Sequence, residues 1–129
     1  VARAVAANGA DGISAINTLT GMVIDVHAAR PILANRTGGL SGPAIRPLAV
    51  RCVWQIYEAV DLPIVGMGGV SSGRDAAEMI MAGATAVGVG SAVYDEGPAV
   101  FTRICHELAA LVDELGYGSL AEMRGVAHR

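Results

Sequence analysis

Three short apolar runs, each followed by a helical pattern, limit the folds open to this chain more than any other feature. The runs are Gly12–Asn17, Leu62–Gly66 and Ala86–Gly90. Their nearly continuous apolar character is typical of strands that are buried on both faces of a parallel sheet. Because helical segments separate the runs, the order favours an α/β fold with a parallel sheet, either open and doubly wound or closed into a barrel.

Five helices are predicted around these strands. They cover residues 1–8, residues 43–59, residues 72–82, residues 98–115 and a short segment that begins at Ser119. Ser72 and Ser119 are each followed, three residues later, by an acidic residue, which is the capping-box pattern or a variant of it. Pro43 suits the first position of a helix.

Two of these helices carry apolar residues at spacings of three and four, which predicts the face that packs on the core. The predicted stripe of the second helix is Ile45, Leu48, Cys52, Ile56 and Ala59. The predicted stripe of the fourth helix is Phe101, Ile104, Leu108, Leu111 and Leu115. Cys52 and Cys105 lie in these apolar stretches, so both are predicted to be core or near-core residues without a catalytic role.

The composition excludes several classes of protein. Of the 129 residues, 53% are hydrophobic and 16% are charged, which is too apolar for a disordered chain. The net charge is −3 and the nine basic residues are scattered arginines, so nucleic-acid binding is not expected. No apolar run approaches the roughly 18 residues that cross a bilayer, and no secretory signal is evident, so no membrane association is expected.

The cysteines and the first residue indicate the setting of the chain. Cys52 and Cys105 are far apart and show no metal-binding spacing, so no metal site is predicted. Two isolated cysteines in an apolar domain favour a reducing, cytoplasmic location. The chain opens at Val1 inside a helical pattern, which we interpret as part of a longer sequence.

Each predicted strand ends in small or polar residues. The pairs are Asn17-Thr18, Gly68-Gly69 and Gly90-Ser91. In parallel α/β folds, ligands bind at the carboxyl ends of the strands, so the three pairs should lie on the same face. A glycine pair leaves main-chain N–H groups open to an anion, and the helix that follows adds a partial positive charge. A lone Gly-Gly is also typical of a tight turn, so the signal is the presence of two such loops.

The position of these two loops suggests a closed barrel. In (β/α)₈ barrels, phosphate often binds at the loops after strands seven and eight, which would make the three strands here the sixth, seventh and eighth. A whole barrel needs about 250 residues, so the first five strands would precede Val1. We therefore expect residues 1–129 to be the C-terminal half of a single TIM-barrel domain, with no second domain.

The segment between the first strand and the second helix is about 25 residues long, and loops of that length are usually functional or disordered. We expect this one to be ordered. It contains His27, interpreted as a solvated side chain, and it ends in GGLSGPAI, where Gly38, Gly39 and Gly42 precede a helix. These glycines favour either a close approach of the backbone to a ligand or a flexible loop that leads into a helix cap.

Three stretches resemble the class 1B dihydroorotate dehydrogenases. They are INTLTGM…ID (residues 16–25), PILANRTGGLSGPAI (residues 31–45) and PIVGMGGVSSGRDAAEMIMAGATAVGVGSA (residues 63–92). The match runs in order across nearly the whole chain. The two glycine loops alone are shared with other phosphate-binding barrels, such as glycolate oxidase-like and inosine monophosphate dehydrogenase-like enzymes. The first block together with GGLSGPAI is much more specific.

The resemblance implies an enzyme of pyrimidine biosynthesis that binds FMN at the mouth of the barrel and oxidises dihydroorotate to orotate. Asn17 and Thr18 match the substrate-binding pair. The positions that match flavin contacts are Ile16, Gly42, Gly68, Gly69, Gly90 and Ser91. The resemblance also implies a separate electron-transfer subunit that carries FAD and an iron–sulfur cluster, with NAD as acceptor, and an oligomer in the full-length form.

The resemblance also places two functional residues outside this chain. The base of class 1 enzymes is a cysteine on an upstream loop, and a lysine that contacts the flavin is upstream too, whereas this chain has no lysine. No catalytic residue is therefore predicted within residues 1–129. Two alternatives stay open: another phosphate- or FMN-binding barrel, such as a dihydropyrimidine dehydrogenase-like domain, and an inert half-barrel whose exposed strand edges invite aggregation.

Overall fold

The computed structural model describes residues 1–129 as a small parallel sheet with helices packed against it. The strands are β1 (Ile13–Ala15), β2 (Leu19–Gly21), β3 (Ile24–Asp25), β4 (Arg30–Pro31), β5 (Gly38–Leu40), β6 (Ile64–Met67) and β7 (Ala86–Gly88). The helices are α1 (Ala2–Ala7), α2 (Arg46–Ala59), α3 (Gly73–Met81), α4 (Ala92–Glu96), α5 (Ala99–Glu114) and α6 (Leu120–Met123). Two 3₁₀ turns, Pro43–Ile45 and Val126–His128, complete the chain. None of the helices combines the length and the apolar character needed to span a membrane.

The central sheet has the order β1-β6-β7, and both of its pairings are parallel. Ala15 pairs with Gly66 in the first, and Met67 pairs with Gly88 in the second. The three strands therefore end at the same edge of the sheet. The predicted α/β fold with a parallel sheet is confirmed.

Residues 18–41 leave the sheet as an excursion made of two antiparallel pairs, β2 with β5 and β3 with β4. The expectation that this long segment is ordered is confirmed, although its short strands were not predicted. No residue from Ile16 to Ser41 is buried. Asp25 shapes the tip, because its Oδ1 accepts hydrogen bonds from the main-chain N–H groups of His27 (3.0 Å) and Ala28 (2.9 Å).

The buried face of α2 differs from the predicted stripe. Its fully buried residues are Ala49 and Val53, whereas Leu48 is 42% exposed and Cys52 is only partly buried. The reason is close packing against the loop after β6, because a Cβ added to Gly68 would lie 2.8 Å from the Cβ of Ala49. Small residues let the helix approach the sheet, so an alanine rather than a leucine faces inward.

The buried face of α5 is also rotated from the predicted one. Val100 and Ile104 are its buried residues, whereas Phe101 is 47% exposed and the predicted core residue Leu115 is 46% exposed. Cys105 is exposed, so the prediction that it is a core residue is wrong. These residues flank the face that packs against α3, and a helix turns 100° per residue, so a shift of one position moves a side chain from core to solvent.

The C-terminal residues fold back on the body of the chain. The His128 ring stacks on Trp54 with ring centroids 3.6 Å apart, and its Nε2 lies 3.0 Å from the carbonyl oxygen of Ala82. His128 is therefore packed against the body of the chain rather than lying in a free tail. Both predicted helix caps are confirmed, since Ser72 Oγ accepts from the Asp75 N–H and Ser119 Oγ accepts from the Glu122 N–H, each at 3.2 Å.

Candidate functional site

A cavity of about 390 Å³ opens at the carboxyl ends of β1, β6 and β7, and its size falls within the range of small-molecule sites. All eight residues that were matched to substrate or flavin contacts line this cavity, whereas Gly38 and Gly39 do not. The eight are Ile16, Asn17, Thr18, Gly42, Gly68, Gly69, Gly90 and Ser91. They come from four separate stretches of chain, which a parallel sheet places side by side at one edge.

Four further residues line the same cavity and were not predicted: Ser14, Ser41, Ile45 and Met67. The sequence could have indicated Ser14, because it is the single polar residue inside the apolar run of the first strand. Met67 is the last residue of β6 and Ser41 directly precedes Gly42, so both adjoin residues that had been identified. None of the twelve lining residues carries a charge.

The loop after β6 has a backbone that only glycine adopts without strain. Gly68 and Gly69 have φ angles of 130° and 74°. A Cβ added to Gly69 would lie 2.6 Å from the carbonyl oxygen of Gly42 and 3.0 Å from the Cβ of Arg46. This loop is therefore pressed against the start of α2, with no room for a side chain.

The loop after β7 is open. Gly90 is exposed, and a Cβ added to it would meet nothing within 4 Å. Ser91 precedes α4 and makes no side-chain capping hydrogen bond. The third glycine, Gly42, has a φ of 86° and is buried between the two loops, where an added Cβ would lie 3.9 Å from Ser91 Oγ.

The two loops that line the cavity carry unused hydrogen-bond donors. The main-chain N–H groups of Gly68, Gly69, Gly90 and Ser91 donate to no acceptor in the protein. Because no charged side chain lines the cavity, an anion there has to be bound by neutral donors, and these N–H groups are four of them. Clusters of main-chain N–H groups in glycine-rich loops are typical of phosphate sites.

Asn17 and Thr18 form a polar pair at the end of β1. The Thr18 N–H donates to Asn17 Oδ1 at 2.8 Å, and the amide nitrogen of Asn17 has no acceptor in the protein. A Cβ on Gly39 would overlap the Thr18 side chain, so this glycine lets the excursion pack against the pair. An amide and a hydroxyl are suited to a ligand that bears amide and carboxylate groups.

An ion pair between a buried carboxylate and a partly exposed arginine supports the loop after β6 from behind. Asp75 is 5% exposed; its Oδ1 accepts from Arg46, and its Oδ2 accepts from the N–H (2.9 Å) and the hydroxyl (3.0 Å) of Ser71. Burial alone would raise the pKa of Asp75, but the hydrogen bonds from Ser71 and Ser72, with the charge of Arg46, hold it below its ordinary value. Arg46 Nε also lies 3.1 Å from Glu78 Oε2, outside hydrogen-bond geometry.

The other residues considered from the sequence lie away from the cavity. Cys52 and Cys105 do not line it, and His27 and His106 are exposed. No group of three or more His, Cys, Asp or Glu side chains could hold a metal ion.

The fold and the cavity define the class of protein. This is an α/β chain whose site lies at the carboxyl ends of parallel strands, with two loops of free N–H groups beside a polar pair. The chain belongs to the dihydroorotate dehydrogenase family, which it matches over residues 1–112. The family resemblance seen in the sequence is confirmed.

Individual relatives agree with this assignment. The catalytic subunit of dihydroorotate dehydrogenase B (NAD⁺) from Bacillus cytotoxicus is 52% identical over 125 residues, which are 97% of this chain and 40% of that protein. The corresponding subunit from Methanocaldococcus jannaschii is 48% identical over 128 residues, which are 99% of this chain and 42% of that protein. The chain thus spans about two fifths of the length of these curated relatives.

A solved structure shows the same likeness in three dimensions. The ligand-free crystal structure of DHODH from Eimeria tenella superimposes with a TM-score of 0.82 and 30% sequence identity. The superposition covers 99% of this chain and 35% of that one. The arrangement of strands and helices described above is therefore that of a dihydroorotate dehydrogenase.

Proposed function

We propose that this chain forms the C-terminal part of an FMN-binding (β/α)₈ barrel that oxidises dihydroorotate to orotate in pyrimidine biosynthesis. The observation that carries the proposal is the convergence, at one cavity, of four free main-chain N–H groups and the Asn17–Thr18 pair. Family membership and the names of the relatives support the same reaction.

The glycine loops fit the phosphate of FMN. Four N–H donors without protein acceptors suit a dianion in a cavity that has no charged lining residue. At Gly68 and Gly69 a side chain would clash, and at Gly90 there is open space in which a ligand can approach the backbone. Ile16 and Gly42 lie beside these loops and contact the rest of the flavin in the proposed complex.

The polar pair binds the substrate. Asn17 and Thr18 supply an amide nitrogen and a hydroxyl that can hydrogen-bond the carboxylate and ring amides of dihydroorotate. Their mutual hydrogen bond at 2.8 Å fixes the orientation of the Asn17 amide before the substrate arrives. When bound, the flavin supplies the hydride acceptor, and the chain orients the substrate against it.

The remaining parts of the machinery lie beyond this chain in our proposal. The three parallel strands take the places of the sixth, seventh and eighth barrel strands, and the base cysteine and flavin-contacting lysine lie on the upstream part. The relatives are named as catalytic subunits of an NAD⁺-linked enzyme, which favours a separate electron-transfer subunit with FAD and an iron–sulfur cluster. An oligomeric full-length enzyme follows from the same reasoning.

The test uses the full-length protein that contains this segment. We expect the purified protein to show a flavin spectrum that bleaches when dihydroorotate is added without oxygen. A flavin that stays oxidised would support the proposed cofactor but exclude dihydroorotate as the substrate. The protein would then be another flavin-dependent barrel enzyme. Absence of flavin, with no uptake of added FMN, would overturn the proposal.

A matched pair of variants tests the role of the polar pair. Asn17→Ala should lower kcat/KM for dihydroorotate by about 100-fold, because a positioned hydrogen bond to a charged substrate is lost. Asn35→Ala, an exposed asparagine of the excursion that does not line the cavity, should leave kcat/KM unchanged. Equal activity of the two variants would contradict the assignment.

A further inference from the structure

Arg103 of α5 lies behind the two glycine loops and does not line the cavity, yet it contacts the segments that carry both of them. Its Nη2 donates to the main-chain oxygen of Ser71 at 2.9 Å. The same guanidinium binds Glu96 with two hydrogen bonds, from Nε to Oε2 at 2.8 Å and from Nη2 to Oε1 at 2.5 Å. Paired hydrogen bonds of this kind fix orientation as well as distance.

These contacts join two stretches of chain that are distant in sequence. Ser71 follows Gly69 by two residues and belongs to the loop after β6. Glu96 is the last residue of α4, the short helix that begins directly after Ser91. One guanidinium therefore connects the loop that carries Gly68 and Gly69 with the helix that follows Gly90 and Ser91.

A second carboxylate orients Arg103. Its Nη1 donates to Glu107 Oε1 at 2.6 Å, and Glu107 Oε2 accepts from the N–H of Gly73 at 2.7 Å. The pKa of Glu107 is held below its usual value, first by the hydrogen bond from Gly73 and then by that from Arg103. Gly73 starts α3, where an added Cβ would lie 2.5 Å from the main-chain nitrogen of Leu108, so α5 is fixed against α3 as well.

We propose that Arg103 is a positioning residue that holds the two anion-binding loops at the spacing one phosphate group requires. This rests on the proposed function, because the phosphate is that of the flavin. Four N–H groups from two loops can bind one anion together only when the loops keep a fixed distance. Preorganisation of this kind increases affinity because less order has to be acquired on binding.

The test compares Arg103→Gln with Arg74→Gln in the full-length protein, freed of its flavin. Arg74 is an exposed arginine of α3 with no hydrogen bond to the protein, so it controls for the loss of charge. For each protein, dissociation constants are measured for FMN and for riboflavin, which lacks the phosphate. Arg103→Gln should weaken FMN binding about tenfold and leave riboflavin binding unchanged, because only the phosphate contacts are misplaced.

The conservative variant and a second site complete the design. Arg103→Lys should restore only part of the FMN affinity, since an ammonium cannot make the paired contact with Glu96. Glu96→Gln weakens the link to α4 alone, so it should reduce the preference for FMN by a few-fold even where Arg103→Gln does not fold.

Each outcome decides between the two claims. A wild-type protein that binds neither compound, or binds both equally, contradicts the proposed flavin phosphate site itself. A wild-type protein that prefers FMN, with the same preference kept in Arg103→Gln and Glu96→Gln, overturns the positioning role alone. Equal weakening of FMN and riboflavin shows a general structural role and overturns it too.

Discussion

The two loops that present free N–H groups to the cavity are built in opposite ways. The loop after β6 is compressed: its glycines have positive φ, Gly69 is buried, and the Arg46–Asp75 pair supports it. The loop after β7 is open: Gly90 is exposed and an added Cβ there would touch nothing. The same Gly-containing sequence signal thus has two physical origins. In the first loop the fold requires glycine. In the second loop no protein contact requires it, and the proposed flavin phosphate would account for it.

Gly69→Ala should have the largest effect on folding. The new alanine would have to adopt a φ near 74°, and its Cβ would lie 2.6 Å from the carbonyl oxygen of Gly42. The left-handed conformation and the overlap together should cost about 3 kcal/mol of the free energy of unfolding. Urea denaturation of the full-length protein measures this loss of stability.

Gly97→Ala is the matched control, because Gly97 has a φ of 67° but nothing within 4 Å of its added Cβ. It should lose only the conformational part, about 1 kcal/mol. Equal losses at Gly69 and Gly97 would show that the loop after β6 is not compressed, and the contrast between the two loops would disappear.

Asp75→Asn should cost about 2 kcal/mol at neutral pH, because it removes charge-assisted hydrogen bonds at a nearly buried site and leaves Arg46 without its nearest carboxylate. The loss depends on pH. The pKa of Asp75 in the folded protein lies below the ordinary value of 3.8, so its contribution is fully present above pH 3.8. It is lost as the pH falls below 3.8 through the folded pKa.

Urea denaturation of wild type and Asp75→Asn between pH 3 and pH 7 measures this dependence. The difference in the free energy of unfolding between wild type and Asp75→Asn should be constant near pH 7 and should shrink toward pH 3. Asp95→Asn provides the control on the open side, since Asp95 is exposed and makes no hydrogen bond through its side chain. A pH-independent difference for Asp75→Asn would mean that its carboxylate is not held by these partners.

The capping serines give a smaller contrast of the same kind. Ser72 follows the compressed loop and its Oγ accepts from the Asp75 N–H at 3.2 Å, whereas Ser91 follows the open loop and caps nothing with its side chain. Ser72→Ala should therefore cost about 1 kcal/mol of the free energy of unfolding. Ser91→Ala should stay within about 0.5 kcal/mol of wild type. Thermal unfolding of both variants measures these losses. A larger loss in Ser91→Ala than in Ser72→Ala would contradict the difference between the loops.

The site was more predictable from the sequence than the contacts that support it. A parallel sheet collects its carboxyl ends at one edge, so residues after three strands could be assigned to one cavity without knowing any side-chain contact. The Arg46–Asp75 pair joins residues 29 apart, and Arg103 reaches Ser71 across 32 residues. On a helix each of these polar residues resembles an ordinary solvated one, so only the packing of helices reveals them.

The helix faces show a second limit. Periodicity located apolar stripes on α2 and α5, but it could not show that Leu48 and Cys105 face solvent while Ala49 and Val100 face the core. Which side of a helix is buried depends on how closely the opposing element approaches it. Glycines in that opposing element set the distance of approach. The short strands of the excursion were missed for another reason, because pairs of two or three residues are too short to show an alternating pattern.

Gly90→Ala should have the smallest effect on folding. It nevertheless tests whether a glycine is needed at this position for ligand binding rather than for the fold. Its Cβ meets no protein atom, so the free energy of unfolding should change by less than about 0.5 kcal/mol. The methyl group nevertheless enters the space where the proposed flavin phosphate approaches the backbone, so FMN affinity should fall about tenfold. Denaturation and FMN titration of the same full-length variant measure both quantities. A variant that keeps wild-type FMN affinity would contradict the assignment of the open loop to the phosphate.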